Sequence, residues 1–561
     1  MGRPQAANPG ERSGALGNLG LALGGALLAS ACEGSQAPDP TAGILLVSWD
    51  TTAASHLSVY GYERETTPNL ERFAEQAVLF ERCLTNAPWT LPSYASLLSG
   101  LDPATLRLAE QEDGPRADGD RAYAIQPTVE TLPEVLSAAG WRTAAFVDVP
   151  WIGVNYGLDQ GFEILDHTAT NIALEDRSGG LATTVDLGLQ WMDSLDDGEL
   201  GFLLLHGFDA HGPYFAPEEL VQRFRGDALF ARTSAQVETN ALLGSYGGIQ
   251  EYLNECLVDE NGVLPDTVDR AELLAMYDAG LLEMDQHFGT LIAGLEERDA
   301  LDHWTVLLHA DHGESTIPEA IDGFSTPAKE AGYAFYFAHG QHDWEALFVP
   351  LLIRPRGGTQ ARSIQVGVES LDLYPTILDL AGVEPPSEVR RPGRSLTGAL
   401  HGEELEMKAT WASGGLMEQD SIHWPGLIYL DQRPVTASLA TRLTFPSPRT
   451  DGWRREHFGS SSVGALQAED LAELSKRPDR DELQAELDAL LTEIGEQPTP
   501  LAPPGVVYEL NYEFFMEMGD WLAERKALAL EARQVLGEPK VVGKLDDAQL
   551  QMLKAAGYVD E

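Results

Sequence analysis

The sequence predicts an α/β protein: a central, mostly parallel sheet flanked by helices, with a smaller C-terminal α+β part. Three observations predict it. Apolar runs of strand length recur at residues 44–49, 143–147, 201–206, 304–309 and 348–353, and strands covered on both faces read as such continuous runs. Amphipathic stretches of helical period lie between them, at residues 69–76, 131–139 and 271–296, and this alternation is the pattern of a sheet with helices on both sides. Several runs also end beside polar residues able to bind ligands: Asp50 after the first, His206 to His211 after the third, Asp311 and His312 after the fourth. Open sheets of this type bind ligands beyond the carboxyl ends of their strands, so the site is expected there.

Composition narrows the function. A chain of 561 residues with 43% hydrophobic content buries a large core. Its 37 basic and 88 acidic residues give a formal charge of −51, which repels nucleic acid and reads as a strongly solvated surface. Residues 1–32 form a signal segment: Arg3 and Arg12 precede a Gly/Ala/Leu-rich run too short and interrupted to span a bilayer comfortably. It ends in Leu27-Leu28-Ala29-Ser30-Ala31-Cys32, which resembles a bacterial lipoprotein cleavage site. A lipid on Cys32 would hold an exported enzyme to a membrane surface, in the periplasm or outside the cell, with residues 33–41 as a tether. Ordinary secretion and an uncleaved anchor are the alternatives. With Cys32 modified, Cys83 and Cys256 allow at most one disulfide. The body divides into a catalytic domain at 42–400, a smaller subdomain at 401–497 with an acidic helical stretch, and a Pro-rich break with a helical tail at 498–561. Residues 111–122 and 226–269 are weakly patterned surface insertions.

The chemistry rests on a few side chains. Asp50, Asp311 and His312 supply two carboxylates and an imidazole, a donor set suited to Zn, Mn or Ca. Thr90 lies just before Pro92 and Ser93, where a strand-to-helix turn presents its hydroxyl at a helix N-terminus, a place that favours an incoming anion. Asp209, His211 and His339 would protonate a leaving oxygen, hold the anion or bind a second metal ion. Read singly, a strand-end Asp is equally a cap or a turn residue, and Thr90 an N-cap. His206, His309 and His342 read as structural, and His287 and His303 as helix-surface residues.

In order along the chain stand Gly43-Ile44-Leu45-Leu46-Val47-Ser48-Trp49-Asp50-Thr51, Ala87-Pro88-Trp89-Thr90-Leu91-Pro92-Ser93-Tyr94, Phe208-Asp209-Ala210-His211-Gly212-Pro213-Tyr214, Ala310-Asp311-His312-Gly313-Glu314, and His339-Gly340 leading to Val349-Pro350-Leu351. This series resembles the sulfatase-like hydrolases of the alkaline phosphatase superfamily. The resemblance implies a metal-dependent hydrolase of sulfate or phosphate/phosphonate esters. Thr90 would be the nucleophile beside a metal held by Asp50, Thr90, Asp311 and His312, and His211 and His339 would assist. The departures matter. Thr90 stands where the family has the Cys or Ser that becomes formylglycine, Tyr94 replaces an Arg, Thr51 the second Asp of a pair, and His339 a Lys. A Thr nucleophile with an additional Asp/His set is similar to the phosphodiesterase and phosphonate-cleaving branches. The substrate would be a small-molecule, glycan or lipid ester. A phospho-headgroup transferase of the same fold and a non-catalytic binding lipoprotein are the competing readings.

Overall fold

A computed structural model describes residues 42–106, 122–149, 152–167 without 154 and 155, 180–225 without 213 and 215, 268–316 without 315, 339, and 344–413 without 387, 407 and 409. It also describes 419–424, 427–432, 441–444, 464–465, 512–536 and 540–542. The expected signal segment and tether, most of the two insertions, His342 and the acidic stretch before the Pro-rich break lie outside these residues.

The main sheet has eight strands, in the order Arg362–Ile364, Val78–Phe80, Leu351–Arg354, Trp304–Ala310, Ala42–Trp49, Leu200–Gly207, Arg142–Phe146 and Ile164–Asp166. The Ala42–Trp49 strand is central and pairs in parallel with Leu200–Gly207 on one side and Trp304–Ala310 on the other. Its successive side chains enter opposite layers, as the period of a strand requires. Ile44 and Leu46 join the core beneath helices Thr90–Ser99, Leu132–Ala138 and Leu373–Ala381. Leu45, Val47 and Trp49 join the core beneath Pro68–Ala74, Gly180–Met192 and Val268–Glu297. The predicted α/β class with a mostly parallel sheet is thus the observed one.

One predicted run divides. At residues 348–353, Pro350 lacks the N–H a ladder needs. Phe348–Val349 therefore falls in a three-stranded sheet with Cys83–Leu84 and Val368–Glu369, while Leu351–Arg354 enters the main sheet antiparallel to both neighbours. Farther on, Thr410–Ser413, Gln419–Trp424, Leu427–Gln432, Thr441–Thr444 and Gly464–Ala465 form a separate five-stranded sheet. The helix Tyr512–Leu536 then returns to the main body, where the buried Arg525 guanidinium donates to Asp102 at 2.9–3.2 Å and to Glu369 at 3.1 Å. Cys83 is a free, buried thiol, and burial pushes its pKa up. Among the described residues, no helix is long and apolar enough to cross a membrane.

Candidate active site

Two adjacent parallel strands end side by side, so Asp50 and Asp311 emerge from them as neighbours. The Asp50 N–H donates to the Gly207 carbonyl at 2.8 Å, which prolongs the ladder past the strand and fixes the carboxylate at its mouth. Thr90 is the first residue of helix Thr90–Ser99, and the preceding Trp89 is extended, at φ −158°. Since Trp89 occupies the cap position, the Thr90 hydroxyl is not used as a cap. It sits instead 3.2 Å from His312 Nε2 and donates toward Asp50 Oδ2 at 3.5 Å. Ser93 Oγ donates to the Asp311 carbonyl at 2.7 Å and ties the first turn of that helix to the strand end.

Hydrogen bonds determine the tautomers. His312 Nδ1 faces the Gly313 carbonyl at 3.0 Å, and a carbonyl only accepts, so the proton is on Nδ1. Nε2 faces Asp50 Oδ1 and Asp311 Oδ2, 3.6 and 3.5 Å away, and in the neutral ring turns its lone pair toward them. His211 likewise donates from Nδ1 to the Gly212 carbonyl, which leaves its Nε2 as an acceptor. His206 is the reverse case. Its Nδ1 accepts the Asp148 N–H at 3.4 Å, so Nε2 carries the proton and donates to Asp50 Oδ2 at 3.1 Å. His206 is structural in the sense predicted, yet the structure it supports is a site carboxylate. His309 bonds Ser370 Oγ at 2.8 Å and stays outside the cluster.

The ligand atoms of Asp50, Asp311 and His312 lie within 4.8 Å of one another, all buried. Asp311 Oδ2 is buried without a hydrogen-bond partner. Burial, with the Asp50 charge behind it, raises the Asp311 pKa. Asp50 is lowered: burial opposes its ionisation, but the His206 hydrogen bond and the nearby imidazoles outweigh burial. An orphaned carboxylate oxygen, a second carboxylate and an inward lone pair fit a divalent cation.

His339 closes the site, its ring centroid 4.3 Å from that of His312 and 4.9 Å from that of His211. Its Nδ1 is 3.5 Å from Glu314 Oε1, and Glu314 accepts from Tyr214 at 3.1 Å. Burial raises Glu314 to about 8 and lowers His211 to about 3, so near neutral pH the first is mostly protonated and the second neutral.

Asp209, of the expected second set, meets the start of a helix. Its Oδ2 accepts the Leu181 N–H at 2.9 Å at the start of helix Gly180–Met192. Gly180, at φ +79°, allows this approach, since a Cβ there would lie 2.2 Å from Asp209 Oδ1. Among the described residues, Asp209 groups with Glu283 and His287, not with His211 and His339. Three participants were not singled out in the sequence as site residues. Glu314 and Thr51 adjoin predicted site residues, whereas His206 leaves a trace only as a polar residue closing an apolar run.

A large α/β sheet with this strand-end cluster defines an alkaline-phosphatase-like hydrolase architecture. The Sulfatase family model matches residues 43–383. Human N-acetylgalactosamine-6-sulfatase is 34% identical over 426 residues, covering 70% of each chain. N-acetylglucosamine-6-O-sulfatase of Bacteroides thetaiotaomicron is 22% identical over 454 residues, covering 68% of this chain and 75% of its own. Among solved structures, the phosphonate monoester hydrolase of Agrobacterium radiobacter superposes with a TM-score of 0.53 at 16% identity, over 81% of this chain and 96% of that one. The chain belongs to the sulfatase family and is an ester hydrolase of that family.

Proposed function

We propose that this enzyme is a metal-dependent hydrolase of sulfate or phosphorus esters that uses unmodified Thr90 as its nucleophile and prefers a phosphorus centre. The observation that carries the reading is the Thr90 hydroxyl, free of capping duty and held between His312 Nε2 and Asp50. A Thr has one hydrogen on its β carbon and cannot be oxidised to an aldehyde, so the formylglycine route is closed to it.

Asp50, Asp311, His312 and Thr90 would hold a divalent cation, Zn, Mn or Ca, which when bound eases ionisation of a hydroxyl and screens the anionic substrate. Asp50 accepts the Thr90 hydroxyl hydrogen bond and orients it, and the proton given up on ionisation passes to solvent and is regained at the hydrolysis step. Thr90 Oγ1 forms a bond to sulfur or phosphorus as the bond to the leaving oxygen breaks. Protonated Glu314 supplies the proton the leaving oxygen needs, relayed through the neutral His339 ring, and the His211 Nε2 lone pair accepts from the substrate or from the incoming water. Water then attacks the Thr90 ester, releasing the acid and restoring the hydroxyl. The substrate is a small-molecule, glycan or lipid ester. Export with a lipid on Cys32 places the enzyme beside such substrates, and mass spectrometry of the mature N-terminus checks that part.

The test is a panel of aryl sulfate, phosphate monoester, phosphodiester and phosphonate monoester substrates, each run with several divalent metals. Phosphodiester or phosphonate turnover is expected to exceed aryl sulfate turnover. Thr90→Ser should keep part of the activity and Thr90→Ala lose most of it, by about 1,000-fold. Faster aryl sulfate cleavage with Thr90→Ala unaffected overturns both nucleophile and preference.

A further inference from the structure

We propose that Thr51 is a positioning residue whose left-handed backbone aims its hydroxyl at the site carboxylate of Asp50. The inference rests on the metal reading of that cluster. Thr51 is fully buried at φ +55°, and Asp299 is the sole other non-glycine residue with positive φ among those described. A β-branched residue in this region is a genuine outlier that persists only where its surroundings over-determine it.

The surroundings do so here. Tyr277, on helix Val268–Glu297, donates its hydroxyl to the Thr51 carbonyl at 2.7 Å and accepts the Ala53 N–H at 3.0 Å. One phenol thus brackets the turn from both sides. Thr52 Oγ1 adds a bond to the Asp50 carbonyl at 3.0 Å. Held this way, the Thr51 hydroxyl donates to Asp50 Oδ1.

Two consequences follow for Asp50. Oδ1 has the Thr51 hydroxyl and Oδ2 has His206 Nε2–H, so neither oxygen can swing away and each keeps lone-pair capacity for a cation. Outer-shell partners of this kind orient ligands and set metal affinity. The strain also explains why Thr serves better than Gly: Gly would relax the turn but bring no hydroxyl.

The experiment titrates Mn and Zn into chelated protein by calorimetry and measures the melting temperature of the metal-free forms. Wild type, Thr51→Ser, Thr51→Val, Thr51→Gly and Tyr277→Phe are compared. Thr51→Ser should stay within about twofold of wild-type affinity, whereas Thr51→Val and Tyr277→Phe should weaken binding about 10- to 100-fold. Thr51→Gly should weaken it similarly while its metal-free melting temperature holds or rises. Should Thr51→Val fail to fold, Tyr277→Phe and Thr51→Gly decide. Wild-type affinity in the hydroxyl-free variants overturns the role of Thr51 and leaves the metal site standing. Absence of Mn, Zn and Ca binding by wild type, with Ca titrated in the same way, overturns both.

Discussion

Two buried groups of acidic residues in this fold are compensated in opposite ways. At the strand ends, Asp50 and Asp311 face His206, His211 and His312, and among the described residues no Lys or Arg pairs with either. In the second group, Asp102, Glu369 and Asp372 share Arg525 and Lys408, with Lys408 Nζ 2.7 Å from Glu369 and 2.8 Å from Asp372. Burial disfavours ionisation of Glu369, but Arg525 and Lys408 outweigh it and hold the carboxyl at about 2. The same residue types therefore build a fastening where the chain supplies its own cations and a binding site where it does not. Asn86, four residues before Thr90, donates to Glu369 at 2.8 Å and to the Trp411 carbonyl at 2.7 Å.

The comparison breaks most readily at Asp311. Asp311→Asn removes one of two facing carboxylates, so metal affinity should fall by more than about 100-fold and turnover with it. Stability of the metal-free protein in urea should rise, because a buried carboxyl without a cation is relieved. If the metal-free variant is instead less stable, Asp311 belongs with the fastening and the contrast is wrong. Arg525→Met is the converse change. It strands Asp102, leaves Glu369 with Lys408 alone and should cost about 3–5 kcal/mol. Adding Asp102→Asn and Glu369→Gln should recover much of that loss in the same denaturation experiment. A loss below about 1 kcal/mol would mean that the C-terminal helix rests on the body without fastening it.

The strand-end cluster was largely legible in the sequence because its parts are local. Asp50 and Asp311 follow apolar runs directly, and His312 adjoins one of them. Strand period and strand-end geometry are enough to place all three on one edge of a parallel sheet. Thr90 was legible as a helix-start residue, though its release from capping depends on the extended Trp89. The partner of Asp209 was not legible because the Leu181 N–H belongs to a helix 28 residues earlier in the chain, and no local pattern announces that capture. The fastening was invisible for the same reason on a larger scale. Arg525 meets Asp102 across 423 positions, and within its own helix it reads as an ordinary charged residue. Compensation of charge is a tertiary property, so sequence shows where acids lie but not which of them have cations.

Acid denaturation gives the smallest and sharpest test. Glu369 titrates near 4.5 when unconstrained and at about 2 in the fold, so its folded pKa is depressed and the folded state binds fewer protons between those values. Its contribution is therefore fully present above about pH 4.5 and is lost as pH falls toward 2. The gap corresponds to about 3 kcal/mol. Urea midpoints of chelated wild type should drop steadily across that window. Arg525→Met removes the larger of the two cations that depress Glu369, so its midpoint, already low at neutral pH, should fall less over the same range. Thr90→Ala touches neither carboxylate of the fastening and should reproduce the wild-type slope. Equal acid slopes in wild type and Arg525→Met would show that the Arg525 charge does not hold Glu369 ionised, and the internal-cation half of the comparison would fall.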